Sequence, residues 1–561
     1  QVPEHIANTV LVESIPEQFQ SAEKLRAFIQ KIQPGAGIKS IYVAKDTDVL
    51  LALIGQRDYA QAKLREAEAT QAKDPSTVPM VRDGYLGGQR EAIPHWRSEV
   101  QRIEPEVRAE RKRVETESSK VGGVNTSSAF VTFHERSAAE LLLRLDGGLS
   151  SDEDEWEMFH APQPSDILWA DLTQDDTAQQ VRTAIGYLLV IGLYFLYMPL
   201  VIGITNLAKI IDLSNFGLGV IQPFWQGMAP TMGLQFMVAF LPTFLIMIFR
   251  GFFTCRSEAR QQHKLQIWYF WFQVVFVLLA TAVGQNVNEF TVTLFDDPTS
   301  IFRVLADTMP YATHFYMNFL VLQWMSHGMN FTRYFPLFKF KAAMSIYEEQ
   351  EAKAFAEPED QDYYGMGSRS ARFSLLLVIS LVFCSLTPLM TIIGFINFFL
   401  SRMFYPYLFV FSEVRKADLG GVFWFESLKH VQQGLFLYVA LMTGVLMERA
   451  STLFPAGITL LCLMYCISEY RYFLREFRWE LLEFHELKGE RSKMLKGISY
   501  KQPELISVMP QEPAEQLQGT GMSSAQDLFQ ALQSRLGTVA SALRGGSAVA
   551  PGSAAPAARG G

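Results

Sequence analysis

Eight stretches between residues 183 and 471, each roughly 20 residues long and dominated by apolar side chains, constrain this 561-residue chain more than any other feature. A run of that length crosses the hydrocarbon core of a bilayer as a helix, which satisfies its own backbone polar groups. The stretches are 183–207, 231–250, 265–289, 309–333, 373–390, 391–412, 429–448 and 452–471. The fifth and sixth are nearly fused, with only Pro388, Gly394 and Asn397 as punctuation. The chain therefore reads as a polytopic α-helical membrane protein of about eight spans, in residues 166–472. Mean hydropathy is only +0.10, because polar regions flank the apolar one.

Residues 1–165 read as a soluble α+β domain. "NTVLVESIP" (8–16) alternates like a strand, and "SAEKLRAFIQKI" (21–32) opens with a Ser cap and has helical periodicity. "GIKSIYVAKD" (37–46) is a second strand, and about 48–118 is a charged, helix-prone insertion. "SSAFVTFHE" (127–135), "SAAELLLRL" (137–145) and "WEMFHAP" (156–162) complete a strand, a helix and a last strand. The order β-α-β, insertion, β-α-β is ferredoxin-like and is shared by the RNA-recognition fold. That fold stacks bases on exposed aromatics of its two central strands. The corresponding positions here are Leu11 and Ser128, Thr126 stands at the usual basic position, and Phe130 alone remains. A net charge of −8 and a pI near 5.7 point the same way, so nucleic acid is not an expected partner.

Polar residues inside the apolar stretches carry the functional argument, because hydrocarbon does not solvate them. In 309–333, at 100° per residue, His314, Asn318, Gln323, Ser326 and Asn330 share half the circumference. Met317, Leu320, Trp324, Gly328 and Phe331 take the other half, and His327 sits at the edge. In 265–289, Gln266, Gln273, Thr281, Gly284, Gln285 and Asn288 form a narrower stripe; Thr231, Gln235 and Thr243 mark a third in 231–250. Three aligned stripes favour a hydrated pathway over polar residues that only glue helices together. From Arg182 to Ser412 every Asp and Glu lies in a loop or at a span end. Neutral amides and hydroxyls suit a wide, weakly selective pore; a proton-coupled transporter would ordinarily bury a carboxylate. The expected pore-lining set is Gln235, Gln273, Thr281, Gln285, Asn288, Asn318, Ser326 and Asn330. Gly328 and Pro388 are candidate gating hinges, with close packing and a fixed kink as the alternatives.

Loop charges orient the spans. Arg250, Arg256, Arg260 and Lys264, then Arg333, Lys339 and Lys341, then Arg415 and Lys416 fall on the side of the N-terminal domain. Both terminal regions are thus expected in the cytosol.

Three motifs carry a family resemblance. "APQPSDILWADL" (161–172) resembles the Pro-x-Asp-Ile-x-Trp-x-Asn-Leu signature of the osmosensitive, stress-gated calcium-permeable cation channels, with Asp171 in place of the usual Asn. "VFCSLTPLM" (382–390) is similar to their Tyr-x-x-x-x-Pro stretch, with Phe383 for Tyr, and "WMSHGMNFTRYFPL" (324–337) resembles the end of their pore helix. The resemblance implies a fold similar to the anoctamin channels and scramblases and to the hair-cell TMC proteins. It implies a pore in the five helices after the soluble linker, here from 183 to about 390, opened by membrane tension or hyperosmotic stress to cations including calcium. Members normally carry three more helices before the linker, so the opening at Gln1 is expected of a fragment or trimmed precursor. Where they often carry an acidic residue, this chain has Asn330, which bears on cation preference.

"GVFWFESLKH" (421–430) offers Phe423, Trp424 and Phe425 as membrane-interface anchors. Residues 473–500 read as a cytosolic helix. Residues 501–561 read as a mostly disordered tail, within which 525–544 is amphipathic. No enzyme motif is present, and Cys255, Cys384, Cys462 and Cys466 make no metal spacing with His. No cofactor is expected. The expected partners are the bilayer, permeating cations including calcium, and a second copy of the chain in a homodimer, an assembly the sequence leaves open. The expectation is a mechanosensitive, osmosensitive cation channel of the plasma membrane. The alternatives are a lipid scramblase using the same polar groove, then a transporter.

Overall fold

The computed structural model describes residues 4–73, 78–82, 89–120, 123–144, 156–174, 176–210, 222–280, 300–345, 349–357, 365–414, 419–476 and 500–505. Thr281, Gln285, Asn288, the stretch 477–499 and the amphipathic 525–544 lie outside them.

The N-terminal region runs α1 (Glu4–Ala7), β1 (Thr9–Glu13), α2 (Ala22–Ile32), β2 (Ile38–Lys45), α3 (Asp48–Lys73), β3 (Met80–Arg82), β4 (Gln89–Glu91), α4 (Ala92–Glu117), β5 (Asn125–Phe133), α5 (Arg136–Arg144) and β6 (Glu157–His160). The main sheet has the order β2-β5-β1-β6, with antiparallel neighbours. Strand periodicity divides β1 between two cores. Val10 and Val12 pack under α2 and α5 with Leu25, Ile29 and Leu142, while Leu11 joins Phe130 on the opposite face. The insertion is a pair of 26-residue helices, α3 and α4, with the β3–β4 ribbon between them.

The Leu11–Phe130 face is where an RNA-recognition domain would stack bases, and the chain covers it with itself. Tyr500 stacks on Phe130 with centroids 4.9 Å apart, and Trp169 meets Phe130 edge-on at 5.6 Å. The Tyr500 hydroxyl donates to the Pro162 carbonyl at 3.0 Å, and Thr47 donates to Glu504 at 2.7 Å. A strap from beyond the last apolar helix is thereby bound to the sheet.

The helical region comprises α6 (Asp176–Ile210), α7 (Gln222–Phe252), α8 (Glu258–Gln273) with a π-helical turn Val274–Ala280, α9 (Ser300–Phe331), α10 (Tyr334–Ala343), α11 (Glu349–Ala356), α12 (Met366–Cys384), α13 (Leu389–Phe411), α14 (Val422–Arg449) and α15 (Phe454–Glu476). Among the described residues, five segments are long and apolar enough to cross a membrane: Ala178–Tyr197, Thr231–Phe252, Met366–Cys384, Leu389–Phe411 and Val422–Arg449.

The boundary between the fifth and sixth stretches differs from the sequence reading. α12 ends at Cys384 and Pro388 caps the start of α13. Pro388 is therefore not a kink within a span; it occupies a helix start, where its missing N–H removes no bond. Gly328 is not a close-packing glycine, since a Cβ there would meet nothing, and α9 runs through it unbroken. Gly367 is the close-approach glycine: a Cβ there would overlap the Gln262 carbonyl, so its absence lets α12 pack against α8.

Pro242 interrupts α7 and leaves the Val238 carbonyl without its usual i+4 donor. The Tyr269 hydroxyl supplies one at 2.9 Å from α8. Tyr316 on α9 likewise donates to Val277 O in the π turn at 3.1 Å. Two buried tyrosines thus donate to helix carbonyls, and for Val238 O the hydroxyl replaces the N–H that Pro242 lacks.

Candidate functional site

A polar seam runs along α9, and its side chains reach two neighbouring helices. Toward α7, Gln235 Nε2 donates to Ser326 Oγ at 2.9 Å, joining two of the three stripes. Toward α13, the buried His327 ring lies 3.1 Å from Asn397 Oδ1, 3.0 Å from Ser401 Oγ and 3.3 Å from the Tyr405 hydroxyl. Asn330 donates to the same hydroxyl at 3.2 Å. Beyond it, Arg369 forms a two-pronged pair with Glu413, at 3.0 Å for each prong, and lies over the Tyr405 ring.

Asn397, Ser401 and Tyr405 were missed by sequence reasoning, although their i, i+4, i+8 spacing on α13 was readable. The apolar run around them hid the pattern. His327, placed at the edge of the stripe, is the centre of the α13 contact.

Not every expected residue joins the seam. Gln273 is fully buried, and neither of its side-chain polar atoms has a partner among the described residues. It continues the face of α8 that bears Gln266 and Phe270. Gln266 donates to Phe423 O and Ser427 Oγ, and Phe270 stacks on His430 at 3.8 Å, all three partners on α14, while Tyr269, one turn before Gln273, bonds Val238 O on α7. Asn318 is half-buried on α9. The aromatic anchor divides: Trp424 is 60% exposed, whereas Phe423 and Phe425 are buried, Phe425 against Phe473. Only Trp424 is placed to meet a headgroup, because one helical turn cannot point three successive side chains the same way.

The 161–172 signature has a structural task that its sequence does not disclose. It locks the N-terminal domain to the turn between α7 and α8. Asp171 Oδ2 accepts from the backbone N–H of both Cys255 (2.8 Å) and Arg256 (3.1 Å). Asp166 accepts from Ala259 N at 3.0 Å, at the start of α8, where the helix dipole favours a carboxylate. Arg256, at φ 64°, turns back to pair with Glu13 at 2.7 Å and lies over the Phe159 ring. Burial pushes the Asp171 carboxyl above its ordinary range, against the two N–H donors and nearby Arg182 and Arg256 that hold it charged.

These features define a multi-span membrane protein with an N-terminal domain tied to its helices. Comparison with known proteins agrees. Residues 182–446 match the family described as "Calcium-dependent channel, 7TM region, putative phosphate", and residues 7–171 match "Cytosolic domain of 10TM putative phosphate transporter". The chain is 23% identical over 453 residues to "Hyperosmolality-gated Ca2+ permeable channel 1.3" of Arabidopsis thaliana, covering 77% of this chain and 57% of that protein. It is 25% identical over 468 residues to "CSC1-like protein ERD4" of Brassica juncea, covering 79% and 62%. It is 20% identical over 488 residues to "Uncharacterized protein RSN1" of Saccharomyces cerevisiae, covering 77% and 48%. The chain belongs to the family that these two regions define, among whose members are proteins named hyperosmolality-gated Ca2+ permeable channels. It spans about three fifths of the length of the two plant relatives and about half of the yeast protein.

Proposed function

We propose that this chain forms the greater part of a calcium-permeable, weakly selective cation channel of the plasma membrane, opened by membrane tension or hyperosmotic stress. The observation that carries the reading is the α9 seam, in which neutral amides, hydroxyls and one imidazole bridge α7, α9 and α13. Moving α7 away from α9 exchanges the Gln235–Ser326 bond for water, wetting a path past Gln235, Ser326 and Asn330. Tension favours that state in proportion to its extra in-plane area. Asn318 and, beyond the described residues, Thr281, Gln285 and Asn288 would extend the lining, with Gly328 and the Pro388 turn as flexing points.

The soluble domain is RRM-like in topology and serves as a protein–membrane coupler in this reading. Eight spans place both terminal regions in the cytosol, and seven of the eight apolar stretches fall within or at the edge of the matched 7TM region. A homodimer and the bilayer itself are the expected partners.

A lipid scramblase is the second reading. Asn330 and its neighbours Met329 and Phe331 are exposed on α9, so that end of the seam is open to lipid. Both readings are tested on the protein reconstituted in liposomes. Suction-evoked patch current without transfer of fluorescent lipid between leaflets supports the channel; lipid transfer without current supports the scramblase. In the channel case Asn330→Glu should raise cation preference, and coincident reversal potentials for the two chains in asymmetric salt would remove Asn330 from the path.

A further inference from the structure

Where the signature segment, the α7–α8 turn, the start of α3 and the strap meet, they enclose a cavity of about 510 Å³. Its size is that of a small-ligand site, for which about 300–1,000 Å³ is usual. Phe249, Phe253 and Ile167 are buried apolar walls, while Ala170, Leu51 and Arg250 stand exposed at the rim. The cavity lies at the end of the apolar segment Thr231–Phe252, the level at which lipid headgroups meet a spanning helix.

One group in it lacks a partner. Gln261 is 1% exposed, lines the cavity, and its Nε2 donates to nothing. A buried amide N–H left unbonded is destabilising, so the position calls for an acceptor brought from outside. Arg250 adds a cation at the rim, and the carboxylates of Asp171, Glu258 and Glu504 line the same cavity, Asp171 with its Oδ2 already accepting from Cys255 N and Arg256 N. Arg250 and Glu258 have other contacts within the chain; they set the charge of the cavity and are not vacant donors or acceptors.

We infer that this cavity binds the headgroup of an ethanolamine phospholipid from the adjoining leaflet, its phosphate and ester oxygens toward Gln261 and Arg250 and its ammonium toward Glu258 and Glu504. A purely anionic headgroup would meet three carboxylates, Asp171, Glu258 and Glu504, with one arginine. A choline head, with three methyl groups on its nitrogen, holds its charge further from those carboxylates than a primary ammonium does. The zwitterion with a primary ammonium matches both halves of the lining, and the apolar walls accept its glycerol and upper acyl carbons.

The test is independent of channel activity. Full-length protein is reconstituted in vesicles of equal phosphatidylethanolamine, phosphatidylcholine and phosphatidylglycerol, extracted into mild detergent, and its retained lipid measured by native mass spectrometry. Wild type should retain one phosphatidylethanolamine per chain. Ala170→Trp, which fills the cavity from an exposed position, should lose it, and Gln261→Leu should retain at least tenfold less at unchanged melting temperature. Equal retention by all three chains overturns the proposal, as does preference for phosphatidylcholine or phosphatidylglycerol over phosphatidylethanolamine. If Gln261→Leu does not fold, the Ala170→Trp comparison decides alone.

Discussion

Gln502 in the strap on the sheet and Gln273 in the helical bundle are both amides at 0% exposure. Gln502 is fully used. Its Oε1 accepts from the Tyr42 hydroxyl and Lys45 N–H, and its Nε2 donates to Lys45 O and Thr47 Oγ1, all within 3.2 Å. Gln273 has no partner at either atom, and the buried Thr231 hydroxyl and Asn397 Nδ2 in the same bundle lack one too. Buried polar groups without partners are rare because each costs about 1–3 kcal/mol. At Gln502 the polar groups are closed within the protein, although elsewhere in the sheet domain Gln33 Oε1, Arg136 Nε and Glu140 Oε2 have no partner among the described residues. The bundle leaves several open, as a structure does when water or an ion completes it.

The strap offers the largest effect. Tyr500→Ala empties the stacked place over Phe130 and should cost about 3–4 kcal/mol, within the range for buried aromatic truncation. Thermal unfolding of the full-length chain, followed by tryptophan fluorescence, reads it. A shift of only a degree or so would mean that the sheet face does not depend on its cover. Tyr500→Phe, which removes only the hydroxyl bonds to Pro162 O and His5 O, should cost about 1 kcal/mol.

The signature lock comes next. Asp171→Ala strands the N–H groups of Cys255 and Arg256 and should cost about 3 kcal/mol, at about 1.5 per bond to a charged acceptor. Asp171→Asn should be nearly neutral. Both amides bond to one oxygen, Oδ2, so a carboxamide oxygen serves as well. That explains why a signature that usually carries Asn tolerates Asp here. If Asn costs as much as Ala, the charge of Asp171 and its pairing with nearby arginines would outweigh the two bonds.

Alkali should release the strap before it melts the bundle. Burial, ahead of its other influences, pushes the Tyr42 hydroxyl from its ordinary 10.0 up to about 12. The folded form therefore holds its proton more tightly than the unfolded one. The stability this gives is complete below pH 10 and is lost as pH rises through 10 toward 12. About 3 kcal/mol is at stake, at roughly 1.4 per pH unit. The difference in melting temperature between wild type and Tyr42→Phe should shrink over that interval; a constant difference would exclude the linkage.

The two regions were also unequally legible in the sequence. Strand alternation at Val10, Leu11 and Val12 and the Ser21 cap lay open to reading, because local periodicity determines which face is buried. Wheel positions in the spans were legible for Gln235 and Ser326, which do meet. They do not decide Gln273, because a stripe says which side chains share a face and not which neighbour that face meets. Helix neighbours come from packing between distant segments, such as Gly367 on Gln262. No local pattern announces that contact. The strap lay further out of reach, since Tyr500 meets residues more than 300 positions earlier in the chain.

Tyr269 sharpens the comparison within the bundle. Tyr269→Phe leaves the Val238 carbonyl without a donor and should cost about 1–2 kcal/mol. Pro242→Ala restores an N–H at i+4, so the double variant should recover most of that loss in a thermal unfolding cycle. Failure of the rescue would place the value of Tyr269 in packing and not in its hydroxyl.

The smallest change is the most telling. Gln273→Leu removes two unpartnered polar atoms from a fully buried site at nearly constant volume. In a dry interior, relieving an unsatisfied amide should stabilise the bundle by about 1 kcal/mol or more. In a hydrated one, the amide already has water for its partner, and leucine gains nothing or loses a little. Melting in nanodiscs separates the two. A stabilised Gln273→Leu chain means that the α8–α14 contact is sealed and that any conduction path is confined to the α7–α9–α13 seam. An unchanged or destabilised chain means that water already reaches Gln273 and that hydration extends across α8, beyond the bonds that now close the seam.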